Sequence, residues 1–146
     1  MHSFYRLTDE EIAAWLRRHQ QPAYRAKQLC AGVYRRGVAS FGEMTDLPRA
    51  LRQQLAAELD LRPTTPLAVA ESEESLKLLL ELPAGGRVEC VRLAMDNAFT
   101  ACVSSQIGCT VGCAFCATGQ SPYERSLHYG EIIAQVVALR RLGAPL

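Results

Sequence analysis

Three cysteines within eight residues, Cys109, Cys113 and Cys116 in the spacing C-x3-C-x2-C, constrain this chain more than any other feature. Neighbours this close are strained as disulfide partners, so the run does not read as a disulfide framework. Zinc knuckles pair a C-x2-C with a second pair, or with histidines, further along. Here no second pair follows, and the three histidines, His2, His19 and His128, show no ligand spacing. A tight loop of three thiolates suits an iron–sulfur cubane, because three corners of one small face must be reached at once. Gly108, Thr110, Gly112, Ala114, Ala117 and Gly119 are small enough to let the backbone fold around such a group. Full protein ligation would take four cysteines. Either Cys102 is the fourth, or one iron is left open to a substrate or cofactor.

Length and charge bound the setting. The 146 residues are about one domain's worth, and 49% apolar content supports a packed core. Sixteen Lys and Arg against fifteen Asp and Glu give a net charge of +1. That excludes a globally basic nucleic-acid binder and an acidic tail. No run approaches the ~18 apolar residues of a membrane span, and Met1 to Arg6 lack the pattern of a secretory signal. The expected compartment is the reducing cytoplasm, with no membrane partner; there, clustered cysteines mean metal or catalysis more often than disulfides.

The rest of the chain reads as two kinds of structure. Thr8-Asp9-Glu10-Glu11 has the form of a capping box opening a helix, with Ile12, Trp15 and Leu16 on one face. Pro22 restarts the chain for a second helix to about Arg36, stopped by Gly37. Asp46-Leu47-Pro48 opens a third, with Leu47, Leu51, Leu55 and Leu59 on an i, i+4 stripe. Between Arg17 and Arg36 stand six basic side chains and no acidic one: Arg17, Arg18, Arg25, Lys27, Arg35 and Arg36. They form either a solvated helix face or a phosphate-contacting patch. Residues 1–60 are thus expected to be a helical accessory or RNA-binding module.

Pro63 and Pro66 mark a boundary, after which the period changes to two. Residues 75–93 read as a β-hairpin turning at Pro83-Ala84-Gly85-Gly86, and 61–94 as a connector. A third strand, about Phe99 to Ser104, runs into the cysteine cluster. A helix from Gly130 carries Ile132, Ile133, Val136, Val137 and Leu139 and stops at Gly143. On its strand Glu89 shares a face with Val91 and Leu93, and such an apolar face would desolvate the carboxylate and raise its pKa, as suits a general base. Cys30 and Cys90 read as packing residues.

The cysteine spacing, with Phe115 before the last cysteine, resembles the radical S-adenosylmethionine superfamily. The flanks narrow the resemblance. Cys102-Val103-Ser104-Ser105-Gln106-Ile107-Gly108-Cys109, Cys113-Ala114-Phe115-Cys116-Ala117-Thr118-Gly119-Gln120 and Gly130-Glu131-Ile132-Ile133 are similar to the RlmN/Cfr family of RNA adenine methyltransferases. Tyr24-Arg25-Ala26-Lys27-Gln28-Leu29, Met44-Thr45-Asp46-Leu47-Pro48 and Arg87-Val88-Glu89-Cys90-Val91 agree with it. The likeness spans nearly all of residues 20–140.

This resemblance implies an α/β fold: a helical N-terminal module, a β-hairpin, then at 95–146 the first strand and helix of an incomplete radical-SAM βα barrel. It implies that Cys109, Cys113 and Cys116 hold a 4Fe–4S cluster whose open iron binds S-adenosylmethionine. Cleavage of that cofactor would give a 5′-deoxyadenosyl radical, which attacks a methyl group carried on a late cysteine. The carbon would then add to adenine C2, or to C8 in the Cfr branch. Glu89 matches the family's proton acceptor, and Cys102 the cysteine that pairs transiently with the methyl-carrying one. The implied partners are 23S ribosomal RNA, tRNA as a further candidate, and an electron donor such as a flavodoxin-type protein, with a monomer at full length. The family's Gly-Glu-Pro segment and its late cysteine are not in the sequence, and a βα barrel takes ~250 residues. The chain is therefore expected to be a fragment, inactive alone, with 95–146 loose for want of strands to cover its helix. Two other classes remain in view: a non-catalytic iron–sulfur module, and an RNA-binding accessory domain.

Overall fold

The structure, a computed structural model, describes residues 2–61, 64, 66–96 and 98–142. Pro63 and the expected helix stop at Gly143 lie outside them. The chain divides into two compact units, Met1–Arg62 and Pro63–Leu146.

The first unit is helical. Helix α1 (Asp9–Arg18) starts as its sequence dictates: Thr8 Oγ1 accepts from the Glu11 amide at 3.2 Å, and the Thr8 amide donates to Glu11 Oε2 at 2.8 Å. Helix α2 (Arg25–Cys30) runs into a π-helical segment, Ala31–Arg36, which ends on Gly37 in the left-handed region. Helix α3 (Arg49–Glu58) buries Leu51 and Leu55, with Leu47 and Leu59 beyond its two ends. Phe4 and Tyr5 are fully enclosed, Phe4 meeting Tyr34 and Phe41 with ring centroids 6.0 Å apart. A short parallel pair, β1 (His2–Ser3) with β2 (Leu59–Asp60), ties the start of the unit to its end.

The second unit is a four-stranded antiparallel sheet in the order β3-β4-β5-β6, covered by one helix. The strands are β3 (Pro66–Glu71), β4 (Ser75–Glu81), β5 (Arg87–Met95) and β6 (Ala98–Cys102). Strand β3 was not expected from the sequence. It is an edge strand opened by proline, where no ladder donor is lost, and its exposed residues do not alternate. Strands β7 (Gln106–Ile107) and β8 (Arg125–Ser126) form a separate pair. Helix α4 (Tyr129–Leu142) lies on the sheet. Leu76, Leu78, Leu80, Val88 and Cys90 from the strands share a core with Ile107, Leu127, Ala138 and Leu139.

The helix is therefore not bare. Residues 61–94, read as a connector, and 95–146, read as the opening of a barrel, share this sheet and core. The hairpin strands supply the apolar face that the sequence reading sought from further barrel strands. Among the described residues no helix is long and apolar enough to cross a membrane.

Candidate active site

The loop with the three cysteines, residues 108–124, is closed at its neck by β7 and β8. Gln106 pairs with Ser126 and Ile107 with Arg125. The Glu124 amide donates to the Ile107 carbonyl at 3.0 Å, and the Leu127 amide to the Ser105 carbonyl at 2.8 Å. Gly108, at φ +69°, sits just inside the neck, where a Cβ would fall on the Pro122 carbonyl oxygen and stand 2.6 Å from its carbon.

Cys109, Cys113 and Cys116 are free thiols, each half-buried. The Cys116 amide donates to the Cys113 carbonyl at 3.1 Å, and the Val111 amide to Cys109 Sγ at 3.4 Å. Gly119 closes the far side. A Cβ there would stand 3.0 Å from the Cys113 nitrogen and 3.4 Å from the Cys116 Cβ, tighter than ordinary contact, so a side chain would crowd the two cysteines. Among the described residues no three His, Cys, Asp or Glu converge as around a single ion. A cubane does not ask for that: each thiolate reaches a different iron. Three free thiols, a closed neck and a cradle that a Cβ would fill suit such a group.

Glu89 and Cys102 lie on one face of the sheet. Val91 is opposite Cys102 in the β5–β6 register, and Glu89 is the next same-face residue along β5. The expected desolvation of Glu89 is not found. Its side chain is 53% exposed, because this face is open and α4 covers the other; Glu89 Oε1 pairs with Lys77 Nζ at 2.8 Å. β5 is an internal strand, so Glu89 is exposed through the open face and not at a sheet edge. Glu89 lines a cleft of about 780 Å³ that Ser104, Gln106, Gly108, Ala117 and Thr118 also line, beside the base of the cysteine loop.

Cys90 points the other way, into the core, and burial together with the nearby Cys102 pushes its thiol up to about 12 from an ordinary 9.0. At pH 8.5 its thiolate fraction is reduced by roughly a thousandfold. Iodoacetamide is therefore expected to label exposed Cys102 and spare Cys90 in the folded chain, as read by peptide mass mapping. Equal labelling would show that the sheet does not enclose Cys90. Burial also raises the Cys30 thiol.

Sequence reasoning missed the scaffold. Arg125 grips Glu131 with both terminal nitrogens, at 2.8 and 2.9 Å, and reaches the Gly85 carbonyl at 3.1 Å. Gln135, wholly buried, bonds the backbone of Ser104. The readable signal was a polar pair at i, i+4, Glu131 and Gln135, within the apolar stretch 130–139 of the helix. In the other unit the basic stretch is partly engaged. Arg18 approaches Glu58 at 3.9 Å, Arg36 pairs with Asp46 at 3.0 Å, and Arg25 donates to Gln28 at 2.7 Å.

Known proteins share this arrangement. Residues 3–61 match the family described as the ribosomal RNA large subunit methyltransferase N-terminal domain. A "Probable dual-specificity RNA methyltransferase RlmN" of Streptococcus suis is 35% identical over 140 residues, covering 95% of this chain and 38% of the relative. One of the same name from Gloeobacter violaceus is 41% identical over 131 residues, covering 90% of this chain and 38% of the relative. The chain thus spans under half the length of these curated relatives. The crystal structure of a radical SAM methyltransferase from Sphaerobacter thermophilus superposes with a TM-score of 0.86 at 39% identity, over 97% of this chain and 42% of that one. Residues 3–61 thus match the N-terminal domain of ribosomal RNA large subunit methyltransferases, and nine-tenths or more of the chain is similar to part of RlmN-type methyltransferases.

Proposed function

We propose that this chain supplies the cluster loop and the proton-accepting carboxylate of a radical S-adenosylmethionine enzyme that methylates C2 of an adenine in 23S ribosomal RNA, with tRNA as a further substrate. The observation that carries this is the closed loop of three free thiols, whose residues Gly108, Ala117 and Thr118 line one cleft together with Glu89. Cys109, Cys113 and Cys116 hold a 4Fe–4S cluster, which when bound supplies the electron for reductive cleavage of S-adenosylmethionine. Glu89 opens onto the cleft and takes the proton that the adenine carbon gives up; Lys77 holds its carboxylate in place. Cys102, exposed on the same sheet face, would offer a thiol that bonds the sulfur of the methyl-carrying cysteine as that sulfur's bond to the transferred carbon breaks, the electron pair leaving with the carbon and releasing product. The remaining length of the protein brings the methyl-carrying cysteine and the other S-adenosylmethionine contacts. A flavodoxin-type protein supplies the electron, and the enzyme works as a cytoplasmic monomer.

Anaerobic reconstitution with iron and sulfide tests the assignment. About four irons per chain and a broad charge-transfer absorbance are expected. Cys109→Ala, Cys113→Ala and Cys116→Ala should each abolish both, and Cys102→Ala should leave them. Loss of the cluster in Cys102→Ala would mean a four-cysteine site, with no iron open to S-adenosylmethionine.

A further inference from the structure

The point where the sheet ends and the cysteine loop begins is held by a device that none of the proposed roles requires. The β5–β6 register pairs Val91 with Cys102, and carried two pairs further it would set Ser104 opposite Glu89. The ladder stops instead. β6 ends at Cys102, and both polar groups of the Ser104 backbone go to one side chain. Gln135 Oε1 accepts from the Ser104 amide at 2.8 Å, and Gln135 Nε2 donates to the Ser104 carbonyl at 2.8 Å. The ladder position is refilled from the side: Ser104 Oγ donates to the Glu89 carbonyl at 2.8 Å.

Gln135 suits this work. It is 0% exposed on α4, and its Nε2 also donates to the Glu131 carbonyl at 3.3 Å, so the amide is satisfied on both ends. A primary amide carries its donor and its acceptor on two separate atoms, so it can donate to a carbonyl and accept from an N–H side by side. Gripping both sides of one residue fixes the direction in which the chain leaves β6. Cys102 lies two residues before that grip, Cys109 five after it, and Glu89 is bonded to it directly.

We infer that Gln135 and Ser104 are positioning residues, which hold Glu89, Cys102 and the first arm of the cysteine loop in one fixed relation. The inference rests on the proposed function for its catalytic consequence, and on geometry alone for the anchor itself.

Two measurements decide it. In the chain itself, free of iron, Gln135→Leu and Ser104→Ala should speed amide exchange at residues 103–108 by about tenfold. Exchange across Leu76–Leu80 and the Tm of Ser104→Ala should stay put, and Ser104→Thr, which keeps the hydroxyl, should restore the slow exchange. In the chain joined to the remaining length of the Gloeobacter violaceus relative, Ser104→Ala should lower kcat for RNA methylation about ten- to a hundredfold with KM for RNA unchanged, and Ser104→Thr should recover it. Unchanged exchange at 103–108, or a fall in kcat matched by a fall in Tm that Ser104→Thr does not rescue, would overturn the anchor. A fusion that carries Ser104 and Gln135 yet methylates no RNA would overturn the proposed function instead, and the exchange result would still decide the anchor.

Discussion

Gly108→Ala is expected to destabilise the second unit by about 2–4 kcal/mol and to cost the chain most of its iron on reconstitution. Two causes add. At φ +69° an L side chain carries a left-handed penalty of ~1–2 kcal/mol. The new Cβ would also overlap the Pro122 carbonyl and stand 2.9 Å from the Tyr123 Cα. Those are backbone atoms, which cannot rotate aside, so the β7–β8 neck must open. Gly112→Ala is the control. Its φ is +68° but nothing lies within 4 Å of the new Cβ, so only the left-handed penalty of ~1–2 kcal/mol applies. Urea unfolding with iron-to-protein ratios separates the two variants; equal effects would show that the neck is not packed as described.

Leu139→Ala should lower stability by about 2–5 kcal/mol, the range for a fully enclosed leucine. Leu139 is 0% exposed against Leu76, Leu78 and Leu80 of β4. Leu142, on the same helix but half exposed, should give less than about 1 kcal/mol. Denaturant midpoints at constant slope make the measurement. A Leu139 effect as small as that of Leu142 would return α4 to the loose helix that the sequence alone suggested.

The contrast between that suggestion and the structure has a physical source. Local signals were readable. The Thr8–Glu11 box closes within one turn, the Leu47–Leu59 stripe needs only helical period, and the cysteine spacing lies within one loop. What could not be read depends on partners distant in sequence. Strand β3 has no alternation, because its residues at the sheet edge are exposed on both faces. Strands β7 and β8 are too short to show a period and exist through each other. Glu89 was placed correctly on a face with Val91 and Leu93, but whether that face was covered depended on where α4 packed, and α4 took the opposite side. The pairing with Lys77 followed from the β4–β5 register.

The neck has a consequence for how iron is captured. Because β7 and β8 join the two ends of residues 108–124, that stretch moves as a ring rather than as an open chain. Closing a ring of this size removes on the order of 2–3 kcal/mol of chain entropy, and folding has already met that cost before any metal arrives. Once one thiolate of the proposed site has taken a corner of a forming cluster, the other two would meet its remaining irons at the effective concentration of a short tether, in the millimolar range, rather than at that of the bulk protein. Assembly is therefore expected to be first order in protein after the first capture. A variant with an opened neck would assemble slowly and leak partly filled species, even with all three cysteines intact.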